Sequence, residues 1–115
     1  MTESTIDLAT LEALKESAGA DFVRELVDTF LAEAPGMLGD LRNALAANDA
    51  DRFRRAAHSL KSNSMTFGAL TLAAMARSLE LGGIGAVQQA GGKPLDALAD
   101  EYARVAQALS ELRDA

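Results

Sequence analysis

Nucleophilic chemistry in this chain is confined to few residues, because it has one histidine and no cysteine. The histidine, His58, lies in Ala56-Ala57-His58-Ser59-Leu60-Lys61-Ser62-Asn63-Ser64-Met65-Thr66-Phe67-Gly68. A neutral imidazole nitrogen attacks electrophiles near neutral pH, the ring's unperturbed pKa being about 6.5. Arg54 and Lys61 stand four residues before it and three after, the spacings that meet on a helix surface. Cations there can stabilise the charge on a phosphoryl group arriving at the ring. Ser62, one turn further on, is small enough to let another backbone approach. These types and spacings suit a phosphoryl acceptor.

A helix must hold them. Opening near Asp49 and closing at Gly68, it places Phe53, Ala56, Ala57, Leu60, Ser64 and Phe67 on one side. His58 lies about 160° from Leu60 and shares the opposite face with Arg54, Lys61, Ser62 and Met65. The histidine is therefore expected on the solvent side. The competing reading is a solvated side chain with no task, and spacing alone does not remove it.

Composition bounds the fold. The chain has 115 residues, the size of one domain, with 49% apolar residues and only 4% aromatics. Small and medium side chains in that proportion favour a helical bundle over a sandwich of sheets. Without cysteine there is no disulfide or thiolate metal site, and one histidine builds no His-rich one, so no metal or cofactor is expected. The net charge of −6 argues against nucleic acid as a partner. Arg52, Arg54, Arg55 and Lys61 nevertheless gather near His58 with only Asp51 opposing them, which suggests an acidic or anionic partner at that spot. No N-terminal apolar run resembles a signal peptide and no stretch approaches a membrane span, so a cytoplasmic location is the expectation.

Taken in order, residues 1–5 carry no pattern and are expected to fray. Asp7 can cap a short first helix carrying Leu8, Leu11 and Leu14, which stops at Gly19. Asp21 can cap the next, where Phe22, Leu26, Val27 and Phe30 recur at helical spacing. Pro35 interrupts, yet Leu38, Leu41 and Leu45 resume nearly in phase, so one kinked helix or two coaxial ones should reach Ala47. Asn48 suits a left-handed terminal position. After Gly68 a helix over 69–81 turns Leu72, Met75, Ala76 and Leu79 inward. Residues 82–93, rich in glycine, are expected to form a flexible connection. Gly92-Lys93-Pro94 is not a Walker loop, so no ATP site is expected. Pro94 opens a last helix with an apolar seam of Leu95, Leu98, Tyr102, Val105, Leu109 and Leu112.

The histidine stretch resembles the signature of histidine-containing phosphotransfer (HPt) domains, roughly His-x-Leu-Lys-Gly-x-[Ser/Ala]-x-x-[apolar]-Gly-Ala. His58, Leu60, Lys61, Ser64, Phe67, Gly68 and Ala69 match in register, and Ser62 departs where the family usually has glycine. The resemblance implies an all-α fold: an up-and-down four-helix bundle over 21–47, 49–67, 69–81 and 94–113, with a short additional N-terminal helix, in one domain over 1–115. It implies a phosphoryl carrier of a two-component phosphorelay, not an enzyme. His58 would take the group on Nε2 from a receiver-domain aspartate and pass it to another receiver. The receivers would hold the Mg²⁺ and the aspartate. Lys61, with Arg54, would stabilise phosphoryl charge. Arg54, Arg55, Ser62 and Met65 are the docking candidates. Response-regulator receiver domains and a hybrid histidine kinase are the implied partners, and a monomer the implied state. The alternative is an HPt-like bundle that binds a kinase or receiver as an adaptor or inhibitor without transfer.

Overall fold

Apolar residues recurring every three or four positions give an all-helical chain. The computed structural model describes residues 5–114, the side chain of Asp114 excepted. Among them are five helices and no strand: α1 (Leu8–Ala18), α2 (Ala20–Ala47), α3 (Ala50–Thr66), α4 (Leu70–Gln89) and α5 (Lys93–Asp114). The expectation of fraying over 1–5 falls, Thr5 apart, outside the described residues.

α3 packs against α2 and α4, α5 packs against both of those, and α1 lies on α2 and α3. The core between them holds Leu41, Phe53, Leu60, Leu72, Leu98, Val105 and Leu109, all fully enclosed. Alanines at 34, 44, 57, 69 and 76 are equally buried, and their small size lets the backbones come close. Phe30 sits between Phe67 and Tyr102, with ring centroids 5.3 and 6.0 Å away. Burying a leucine or phenylalanine contributes about 2 kcal/mol. That packing, more than helix propensity, holds α3, whose sequence carries three serines and an asparagine.

α3 is well delimited. Asn48 takes the left-handed conformation (φ 54°, ψ 39°) that releases the chain from α2. Asp49 then caps α3, its side chain accepting from the Arg52 N–H at 3.1 Å. Ser64, on the buried face, donates to the Leu60 carbonyl at 2.6 Å, so its hydroxyl enters the core satisfied. At the far end Gly68 has φ 79°, and a Cβ there would meet the Asp7 carbonyl oxygen at 2.7 Å. The Asp7 N–H donates to the Gly68 carbonyl at 2.8 Å, tying the start of α1 to the α3–α4 turn.

Several expectations need correction. Leu8 and Phe22 are half exposed, because the buried stripe of α2 runs through Val23, Val27, Phe30, Ala34, Leu41 and Ala44, one position round from Phe22, and short α1 fully buries only Leu11. Asp21 is not the cap of α2; Gly19 holds that boundary with no side-chain cap. Pro35 lies within one unbroken α2. The expected connection over 82–93 is mostly helix: α4 continues to Gln89, broken only where Gly83 leaves helical geometry (φ 72°, ψ −174°), and buried Ile84 and Val87 anchor the turns after that break. This extension also makes α4 long and apolar enough to cross a membrane by length and composition (mean hydropathy 1.2), contrary to the sequence expectation. It carries Arg77 and Glu80 and sends Leu72, Ala76 and Leu79 into the core.

Candidate functional site

α3 presents His58 outward, with its side chain 57% exposed, because the residues beside it, Ala57 and Leu60, fill the opposite face. The α3–α4 hairpin brings Glu80 to the ring. His58 Nδ1 lies 2.8 Å from Glu80 Oε2, and Lys61 Nζ lies 2.9 Å from Glu80 Oε1. One carboxylate thus joins the imidazole and the ammonium. It is itself well covered, at 17% exposure, and its Oε1 is buried against Lys61.

The Lys61 contact, and after it the His58 contact, hold the Glu80 carboxyl below the usual glutamate range. Ionised, the carboxylate can only accept, so the proton of this bond resides on Nδ1. In the neutral ring Nε2 then carries the lone pair. A carboxylate that fixes Nδ1 leaves the other ring nitrogen with a lone pair that can attack an electrophile.

Of the residues singled out in the sequence, the fold brings together His58 and Lys61, through a partner 22 positions away that helical spacing within α3 does not reveal. Glu80 is the residue that sequence reasoning missed. Its signal was available: it is the only carboxylate in α4, an otherwise apolar helix. Arg54 is turned elsewhere, bonding Asp51 at 2.8 Å, with Arg55 at 3.7 Å from the same aspartate. Those two arginines hold the Asp51 carboxyl below its ordinary value, the Arg54 hydrogen bond being the larger cause. Arg52 pairs with Asp40 at 2.9 Å. The basic cluster read from the sequence is thus matched by acids from α2, α3 and α4. Ser62 and Met65 are exposed. Among the described residues no His, Cys, Asp and Glu group of three gathers as a metal site.

The helical scaffold thus holds one exposed imidazole by Nδ1, with an ammonium tied to the same carboxylate. A family model of the Hpt domain matches residues 25–115. The crystal structure of histidine-containing phosphotransfer protein B (HptB) from Pseudomonas aeruginosa PAO1 is similar throughout, with 30% identity, a TM-score of 0.87, and coverage of 98% of this chain and 97% of that one. No curated protein matches the sequence significantly. The chain belongs to the Hpt domain family.

Proposed function

We propose that this protein is a phosphohistidine carrier between receiver domains, with His58 as the phosphorylated residue. The observation that carries the reading is the Nδ1–Glu80 bond, which leaves Nε2 outward with its lone pair. Nε2 attacks the phosphorus of a receiver's aspartyl phosphate; the N–P bond forms and the P–O bond to the aspartate breaks, the electron pair leaving with the carboxylate. No proton moves. The ring keeps its Nδ1 proton and gains positive charge, which Glu80 faces directly. The reverse step hands the phosphoryl group to another receiver. Lys61 lies beside the incoming group and offsets its charge.

The same reading takes α2–α5 as an up-and-down four-helix bundle with α1 added, and residues 1–115 as one domain acting as a cytoplasmic monomer. Its partners are response-regulator receivers and a hybrid histidine kinase. Arg54, Arg55, Ser62 and Met65 remain docking candidates on the exposed side of α3.

The test is transfer from receiver domains phosphorylated with acetyl phosphate and then desalted. Wild type gains an acid-labile, alkali-stable phosphate, and His58→Gln gains none. Binding without transfer would make the protein an adaptor, and equal labelling of His58→Gln would move the acceptor elsewhere.

A further inference from the structure

Three helices leave a hollow at the end of the bundle where α1 bends into α2. α1 rests on α2 and α3, while α5 rests on α2 and α4. α1 and the last turns of α5 therefore flank α2 with a wedge between them. The wedge encloses about 110 Å³, and among the described residues its lining comes from α1, α2 and α5 alone. Its floor is Leu11, Val23, Val27 and Leu109, all buried, with Leu112 partly buried beside them. Ala20, the first residue of α2, is too small to close it. An apolar cavity of about 150 Å³ holds benzene, so this one has room for a short chain or most of a ring.

The charge around the hollow is one-sided. Lys15, Arg24 and Arg113 line it, and among the described residues no carboxylate does, although the chain has 17 acidic residues against 11 basic ones. Each cation stands four residues after an apolar lining residue of its own helix: Leu11, Ala20 and Leu109. Four residues is just over one turn, so each cation shares the face that its helix turns to the hollow. The acids that pair with them, Glu12, Asp21 and Asp28, lie outside the lining. Lys15 and Arg24 are held loosely, at 3.6 Å from Glu12 and 3.7 Å from Asp21. Surface pairs of that kind contribute little, so an incoming anion can take over their N–H donors. Arg113 is fixed by Asp28 at 2.6 Å, which anchors its guanidinium at the edge.

An apolar floor with a few convergent cations at its open side fits a small anionic amphiphile. We propose that this hollow binds a small carboxylate with an apolar body of about six carbons. The chain or ring lies on Leu11, Val23, Val27 and Leu109, and the carboxylate accepts from Lys15 and Arg24. Apolar burial supplies the affinity, and the cations select a carboxylate over a neutral molecule of the same shape. The site shares no residue with His58, Lys61 and Glu80. It can be occupied while His58 carries phosphate, and it stands whether or not the carrier reading does.

The experiment titrates the full chain with butyrate, hexanoate and octanoate, and with hexan-1-ol, hexylammonium and inorganic phosphate, followed by ¹H–¹⁵N spectra. Hexanoate should shift the amides of residues 11–27 and 109–113 saturably. Each methylene from butyrate to hexanoate should tighten binding up to about fourfold, and the gain should fall away once the chain outgrows the hollow. Hexan-1-ol and hexylammonium should bind about tenfold more weakly than hexanoate, and phosphate should leave these amides unmoved. Lys15→Gln combined with Arg24→Gln should weaken hexanoate about tenfold and leave hexan-1-ol unchanged. Ala20→Leu, at an exposed position, should fill the hollow and block hexanoate. In both variants the melting temperature should stay near wild type, as should labelling of His58 by phosphoramidate, a small phosphoryl donor. Equal affinity for hexanoate and hexan-1-ol would reduce the hollow to a packing gap and overturn the proposal. Shifts that map to α3 and α4 would overturn it too, as would the absence of saturation by hexanoate and octanoate in the millimolar range.

Discussion

Glu80 does two jobs with one carboxylate. Through Oε2 it fixes the proton of His58 on Nδ1, and through Oε1 it holds Lys61 beside the ring. Removing it should separate these from simple presence of a nucleophile. In Glu80→Ala the ring loses its fixed tautomer and orientation, and phosphorylation by phosphoramidate should slow roughly tenfold. Long-range ¹H–¹⁵N correlation spectra should show the Nδ1–H tautomer dominant in wild type and the Nε2–H form gaining in the variant; an unchanged tautomer ratio would strip Glu80 of its positioning role. The depressed carboxyl also predicts a pH effect. Its contribution to stability is present above the unfolded value near 4.5 and is lost as the pH falls through the lower folded value. Wild type should therefore lose stability across that acid range faster than Glu80→Gln, measured by urea titration at each pH. His58, Lys61 and their outward face were legible in the sequence, since a helix period relates residues within one element. Glu80 and the pairing of Arg54 with Asp51 were not, because they depend on which element packs alongside and on which carboxylate a long side chain reaches first.

Between elements, the glycine that closes the hairpin is the most constrained point. Gly68 carries φ 79° and lies against the Asp7 backbone, where a Cβ would meet a carbonyl oxygen at 2.7 Å. Gly68→Ala faces left-handed strain of about 1–2 kcal/mol plus that contact. It should destabilise the protein by at least about 2 kcal/mol and loosen α1 from the α3–α4 turn, seen as faster amide exchange at Asp7. Gly36 gives the contrast. It is exposed inside α2, with nothing near a built Cβ, so Gly36→Ala should stabilise by about 0.5–1 kcal/mol. Opposite signs in thermal unfolding are the outcome that supports this account. Glycine also explains why one element was misjudged. The sequence treats 82–93 as unpatterned because glycines weaken every helix signal there, yet as far as Gln89 only Gly83 leaves helical geometry, Gly91 and Gly92 making the turn into α5, and Ile84 and Val87 pull the turns after Gly83 onto the core. The ends of α3 were legible because Asn48, Asp49 and Gly68 act through their own backbone chemistry.

For the whole molecule, the core serves the surface by setting the distance between α3 and α4. The His58–Glu80 bond of 2.8 Å spans two helices, so it survives only if their separation is fixed to a fraction of an ångström. Ala76, fully buried one turn before Glu80 on nearly the same face of α4, is small enough to permit that closeness. Leu98 is equally buried but belongs to α5, which packs on α2 and α4. These positions should answer differently to substitution. Ala76→Leu overpacks the interior and costs about 1–3 kcal/mol; it also pushes Glu80 away from the ring, so the tautomer preference and the phosphoramidate rate fall with it. Leu98→Ala leaves a cavity and costs more, about 2–5 kcal/mol, yet keeps α3 and α4 in register, so the folded fraction should show the wild-type tautomer and rate. Measuring both variants where each is fully folded separates scaffold strength from site geometry. If the costlier cavity variant also loses the Nδ1–H tautomer, the site depends on total stability, and the α3–α4 spacing has no special part in holding the histidine ready.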